Sequence, residues 1–210
     1  MQNGSIRIRG VVVLSKPHRN KIKNITEDGE KMNVQIKLIS CLLQYPDESL
    51  LKWLPAFRQA LNEIESVSAR NRYDKILSYF EQTPLIQLQE QYTDTFDLNP
   101  SNCMNLTYHR WGDTEKRGPA LAHLEEIFLK SGLDRISSEL PDFLPLILEF
   151  IYERPDVANS EIIPLYGTVV ETLAERLGRA GNPYALFFEQ LKDIFGLSDT
   201  ADNSQADAMN

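Results

Sequence analysis

Glu139 to Arg154 reads E-L-P-D-F-L-P-L-I-L-E-F-I-Y-E-R, and its apolar residues run almost completely round a helical wheel. They are Phe143, Leu144, Leu146, Ile147, Leu148, Phe150 and Ile151. A helix that is apolar on every side belongs in a core. The run is too short for a bilayer span, which needs about 20 residues. Leu140 precedes Pro141 and is biased out of the α region. Asp142 therefore reads as the N-cap and Phe143 as the first helical residue. Pro145 then falls third in the helix, where its missing N–H costs no intrahelical bond.

Outward from this core helix, apolar residues recur at three-and-four spacing. Asn33 can cap a helix over Val34 to Gln44. Tyr45-Pro46-Asp47 stops it and caps the next, whose apolar set is Leu50, Trp53, Leu54, Phe57, Leu61 and Ile64. Pro55 predicts a kink there. Tyr73, Ile76, Leu77 and Phe80 mark a further helix, and Thr83-Pro84 opens one carrying Leu85, Leu88, Tyr92 and Phe96. Residues 97–113 read as the longest irregular stretch of the body. Their Tyr108, His109, Arg110 and Trp111 form a candidate binding surface. Leu121, Leu124, Ile127 and Phe128 give the next helix, stopped at Ser131-Gly132. Two more follow the core helix. One starts at Pro164 and ends at Gly181, and the last opens at Asn182-Pro183 and ends at Gly196. No alternating run and no fixed repeat is present after Met32. The pattern predicts an all-α, single-domain bundle of roughly eight helices.

Both termini differ in composition. Residues 1–31 hold seven Lys/Arg against three Asp/Glu, whereas the remainder holds 15 against 27. They are expected to form a weakly ordered basic extension, with a short strand over Ile6, Ile8 and Val11–Leu14. Either the first 31 residues are an arm of the protein or its reading frame starts at Met32. The helical domain is expected over 32–197, and a disordered polar tail over 198–210.

The chain has a net charge of −8 and a sequence pI near 5.0. That excludes general binding to nucleic acid, which needs clustered cations. An acidic body favours a basic partner segment. Two cysteines without a CxxC spacing fit a reducing cytoplasm. Cys103 and His109 alone do not make a metal site. Glycine-rich phosphate loops, a nucleophile elbow and a zinc-binding H-E-x-x-H are all absent from the sequence. Glu139 and Asp142 are the one carboxylate pair placed for acid–base work.

Several pieces in order resemble a known family. They are Leu42 to Asp47 (LLQYPD), Gln91 to Asp97 (QYTDTFD), Asn105 to Asp113 (NLTYHRWGD), Arg117 to Leu121 (RGPAL) and Ser138 to Pro145 (SELPDFLP). Over about residues 34–196 the chain resembles the NarJ-type assembly chaperones of respiratory nitrate reductase, within the TorD/DmsD group of redox enzyme maturation proteins. Phe143 departs from the histidine common in the family's P-D-H-L-P, which removes a hydrogen-bonding group there. Pro119 stands where glutamine is common, and residues 1–31 match nothing in the family.

The resemblance implies a cytoplasmic helical chaperone, without a cofactor of its own and without catalysis. Its partner would be the N-terminal segment of the apo catalytic subunit of a molybdenum nitrate reductase. It would hold that subunit until the molybdenum cofactor is inserted and before membrane docking. No nucleic acid and no stable membrane insertion are expected. The candidate peptide-binding residues are Tyr92, Phe96, Tyr108, His109, Leu121, Leu124, Glu139, Pro141, Asp142, Leu144 and Pro145. Two other readings stay open. One is a chaperone of another molybdenum oxidoreductase, binding its twin-arginine signal peptide. The other is a helical hydrolase using Glu139 and Asp142.

Overall fold

The computed structural model describes residues 13–15, 27–135 and 138–197. Most of the basic extension and the whole 198–210 tail lie outside the described residues. The architecture is all-helical apart from one short ribbon. A strand β1 (Val13–Ser15) pairs antiparallel with β2 (Leu133–Arg135), with Val13 opposite Arg135. Helix α1 spans Glu27–Leu42, beginning earlier than the sequence pattern suggests.

Helix α2 (Glu48–Ala60) starts where its cap predicts. The Asp47 carboxylate accepts the Leu50 N–H over 2.7 Å, satisfying one of the donors a helix start leaves open. Pro55 lies inside it. Helix α3 (Val67–Gln82) is capped in the same way by Ser66. Helix α4 (Leu85–Tyr92) runs directly into a π-helical turn, Thr93–Asp97. Helix α5 (Leu106–Trp111) and helix α6 (Arg117–Lys130) follow. The core helix is α7 (Leu144–Glu153), and a short α8 (Pro155–Val157) leads through a second π-turn into α9 (Ile163–Arg179). Helix α10 (Ala185–Ile194) closes the bundle.

Helix α7 is buried on all sides from Leu144 to Ile151, with Glu149 the one charged residue among them. It packs along α1, while α10 packs on α9 and α3. Burying each such Leu, Ile or Phe contributes about 2 kcal/mol relative to exposure. Glu149 stays inside because it is paired. It accepts from the Lys37 ammonium at 2.6 Å and from the Ser40 hydroxyl, both on α1. The pair therefore sets how α1 and α7 sit against each other. A second core layer is aromatic. Tyr184 lies edge-on to Phe96, with ring centroids 5.0 Å apart, and to Tyr92 and Phe80.

Two expectations from the sequence are corrected here. Residues 106–111 are helical, not irregular. Asp142 does not cap α7, whose N-cap position is held by Phe143 in extended backbone without a side-chain bond.

Candidate functional site

Two of the quoted motifs meet in space. Asn105 and Phe143 form an isolated antiparallel bridge. Across it the Leu106 N–H donates to the Asp142 carbonyl at 3.0 Å, and the Leu144 N–H to the Met104 carbonyl at 2.8 Å. This clasp turns the Asp142 side chain toward the start of α5. Its carboxylate accepts from the Thr107 N–H at 3.1 Å, from the Thr107 hydroxyl, and from the Asn105 amide at 2.8 Å. The Arg117 guanidinium sits 3.6 Å away and donates to the Thr107 hydroxyl oxygen at 3.1 Å. Asp142 has no exposed surface. A buried carboxylate with this many donors is a structural anion, and burial disqualifies it as an accessible general base.

Around the clasp lie the half-buried residues of α5 and α6. Arg117 also stacks over the Tyr108 ring at 5.4 Å. His109 Nε2–H donates to the Cys103 carbonyl at 2.7 Å, and the Cys103 sulfur is 3.7 Å from the same nitrogen. Burial holds the His109 ring below the usual histidine range and pushes the Cys103 thiol up. Arg110 stacks on Trp111 and donates to the Leu165 carbonyl at 3.1 Å, tying α5 to α9. Gly112 ends α5 at φ +54, ψ −139, a backbone conformation that only glycine takes readily.

The other candidate residues divide by burial. Tyr92, Phe96, Leu124, Pro141, Leu144 and Pro145 are buried, Leu121 is half-buried, and Glu139 is exposed. Tyr92 donates through its hydroxyl to the Leu43 carbonyl at 3.3 Å. Burial raises its pKa well above the usual tyrosine value, and the nearby Asp97 and Glu139 carboxylates push the same way. Glu139 of the SELPDFLP motif thus lies close to the QYTDTFD motif. So does Tyr45, whose ring stands edge-on to Tyr92 at 5.4 Å.

Three exposed apolar side chains lie in or next to these motifs along the chain. Tyr45 is 49% exposed, Leu98 71% and Leu140 43%. Each stands beside a proline or a turn, outside the helical periodicity that marks apolar faces. Exposed apolar groups mixed with carboxylates suit an amphipathic basic segment better than a small polar substrate. Among the described residues no group of three or more His, Cys, Asp or Glu is placed to hold a metal ion. No helix among them is long and apolar enough to cross a membrane.

The family model described as "Nitrate reductase delta subunit" matches residues 55–189, more than half of the chain. A Bacillus subtilis (strain 168) protein described as a nitrate reductase molybdenum cofactor assembly chaperone, NarJ, is 34% identical over 155 residues, covering 72% of this chain and 83% of that one. The Escherichia coli (strain K12) NarJ chaperone is 27% identical over 160 residues, covering 75% of this chain and 68% of that one. The fold is shared with a crystal structure from Archaeoglobus fulgidus, described as of a redox enzyme maturation protein. Its TM-score is 0.61 at 22% identity, over 85% of this chain and 99% of the other. The chain therefore belongs to the nitrate reductase delta subunit family, that of the NarJ-type chaperones.

Proposed function

We propose that the chain is a system-specific assembly chaperone. Its client is the catalytic subunit of a molybdenum nitrate reductase, which it holds during cofactor insertion. The observation that carries this reading is the 34% identity to the Bacillus subtilis NarJ chaperone, spread over 83% of that protein. The chain itself does no chemistry in this reading. Its strongest carboxylate pair is split, with Asp142 buried in the clasp and Glu139 exposed.

The bound element is the N-terminal segment of the client, before the client docks at the membrane, and the encounter takes place in the cytoplasm. Tyr45, Leu98, Leu140 and Glu139, with half-buried Tyr108 and Leu121 as further candidates, supply the surface. Apolar residues of the segment cover the exposed side chains, and its cations face the carboxylates. Tyr92, Phe96 and Leu144 act from beneath as the floor that holds this surface in shape.

Titration calorimetry with a synthetic peptide of the client's N-terminus tests the proposal. Saturable binding is expected, and Tyr45→Ala with Leu98→Ser should weaken it at least tenfold without changing the helical content. A peptide that stays unbound at high micromolar concentration between pH 6 and 8 would defeat the reading.

A further inference from the structure

Strand β1 brings the basic N-terminal extension onto the bundle, and its register sets where that extension leads. Val13 stands opposite Arg135, Leu14 opposite Asp134 and Ser15 opposite Leu133, in an antiparallel ladder of two strands. The chain before Val13 is therefore carried in the direction in which the chain after β2 runs on, past Arg135. That direction leads to the SELPDFLP motif. The Arg135 guanidinium donates to the Glu139 carbonyl, so Glu139 lies against the end of the ribbon. Glu139 in turn lies near Tyr92, whose ring Tyr45 meets edge-on.

The chemistry of the two partners is complementary. Residues 1–12 read M-Q-N-G-S-I-R-I-R-G-V-V, with apolar and basic residues alternating from Ile6 to Arg9 and no carboxylate. Facing them, Asp134 and Glu139 are exposed carboxylates, and Leu140 is an apolar side chain 43% exposed. Asp134 has no ion-pair partner among the described residues. A strand advances about 3.3 Å per residue, so a few residues before Val13 suffice to pass Glu139 and Leu140. The ladder itself is short, with three residues in each strand. A two-stranded ribbon of that size is marginally stable by itself, so a segment that competes for the same surface can displace it.

We infer that the chain's own N-terminal arm, residues 1–15, is an internal occupant of the client-binding surface. The pairing of β1 with β2 seats the arm, its apolar residues cover Leu140, and its arginines face Asp134 and Glu139. The arm keeps exposed apolar surface covered while no client is present, and a client's segment must displace it. This competition rests on the chaperone reading above. The docking of the arm rests on strand register and charge alone.

The test locks and releases the arm in the full-length protein. Directly opposed residues of an antiparallel pair lie about 4.5–5.5 Å apart at Cα, within disulfide reach. L14C/D134C should therefore form a bridge within one chain in a glutathione redox buffer, mapped by mass spectrometry. No bridge between these positions, or one that joins two chains, overturns the docking. Calorimetry with the synthetic client peptide then compares wild type, the bridged variant and Leu14→Pro, which breaks the ladder. The bridge should weaken binding at least tenfold, with full recovery on reduction. Leu14→Pro should strengthen it about tenfold, the factor expected if the arm is seated in nine molecules of ten. Equal affinity in all three overturns the competition and leaves the chaperone reading standing. If not even Leu14→Pro binds the peptide, the chaperone reading falls and the competition with it, and the bridge alone decides the docking.

Discussion

Asp142 caps a helix distant in sequence: its carboxylate accepts, over 3.1 Å, the N–H of Thr107, 35 residues before it at the start of α5. The same carboxylate takes the Thr107 hydroxyl, the Asn105 amide and the Arg117 charge. A helix cap is ordinarily local, contributed by the residue next to the first turn. Here it joins two stretches of the family motif set.

Removing this carboxylate strands buried donors. Asp142→Ala should cost about 3 kcal/mol, more than the loss of an ordinary cap. Asp142→Asn should cost less, since its amide oxygen still accepts one of the N–H groups. Urea unfolding measures both. A loss for Asp142→Ala below about 1 kcal/mol would show that the clasp is not held by this residue.

The Glu149–Lys37 pair gives a second test. Glu149→Ala leaves the Lys37 ammonium without its partner and should cost about 3 kcal/mol. Replacing both together, by Lys37→Met and Glu149→Leu, should recover most of that loss, because an apolar pair of similar volume avoids the desolvation cost. The coupling energy from the four-member cycle should be well above zero; additivity would deny any link between the two side chains.

The thiols should differ in reactivity. Cys41 is buried and its pKa is pushed up to about 11 by that burial. Cys103 is half-buried, and burial raises its thiol as well. At pH 8 a thiol reagent should modify Cys103 slowly and leave Cys41 untouched until urea unfolds the chain. Mass spectrometry of the native protein should find single modification.

Stability should fall on the acid side through His109. Burial lowers the folded-state pKa of this ring below its unfolded value of 6.5, so the folded chain holds the proton less well. Its contribution is fully present above about pH 6.5 and is lost as pH falls through the folded-state value. The urea midpoint of wild type should therefore drop between pH 7.5 and 5. His109→Gln, which keeps a donor for the Cys103 carbonyl, should flatten part of that slope.

Much of the bundle could be read from local chemistry. Asp47 caps α2 as its position implies, and Gly132, Gly181 and Gly196 stop their helices at positive φ. What escaped was non-local. Residues 106–111 look irregular because the group that starts their helix, Asp142, is distant in sequence. Asp142 reads as the cap of α7 for the same reason, since a carboxylate before an apolar run satisfies the local rule whether or not it is used. Apolar periodicity found Tyr92, Phe96, Leu124 and Leu144, but periodicity reports burial and does not separate core from groove. Three of the exposed apolar groups, Tyr45, Leu98 and Leu140, sit where no period runs.

The bridge between Asn105 and Phe143 also makes the chain between them a closed excursion that leaves the core and returns at one point. Helices α5 and α6 and strand β2 all lie within it. Closure entropy grows only logarithmically with length, so doubling such an excursion costs about 0.6 kcal/mol. Residues inserted at the turn from Gly112 to Lys116 would burden neither α1 nor α7. The excursion is where this architecture can gain or lose length, while the apolar helix beside it keeps its place.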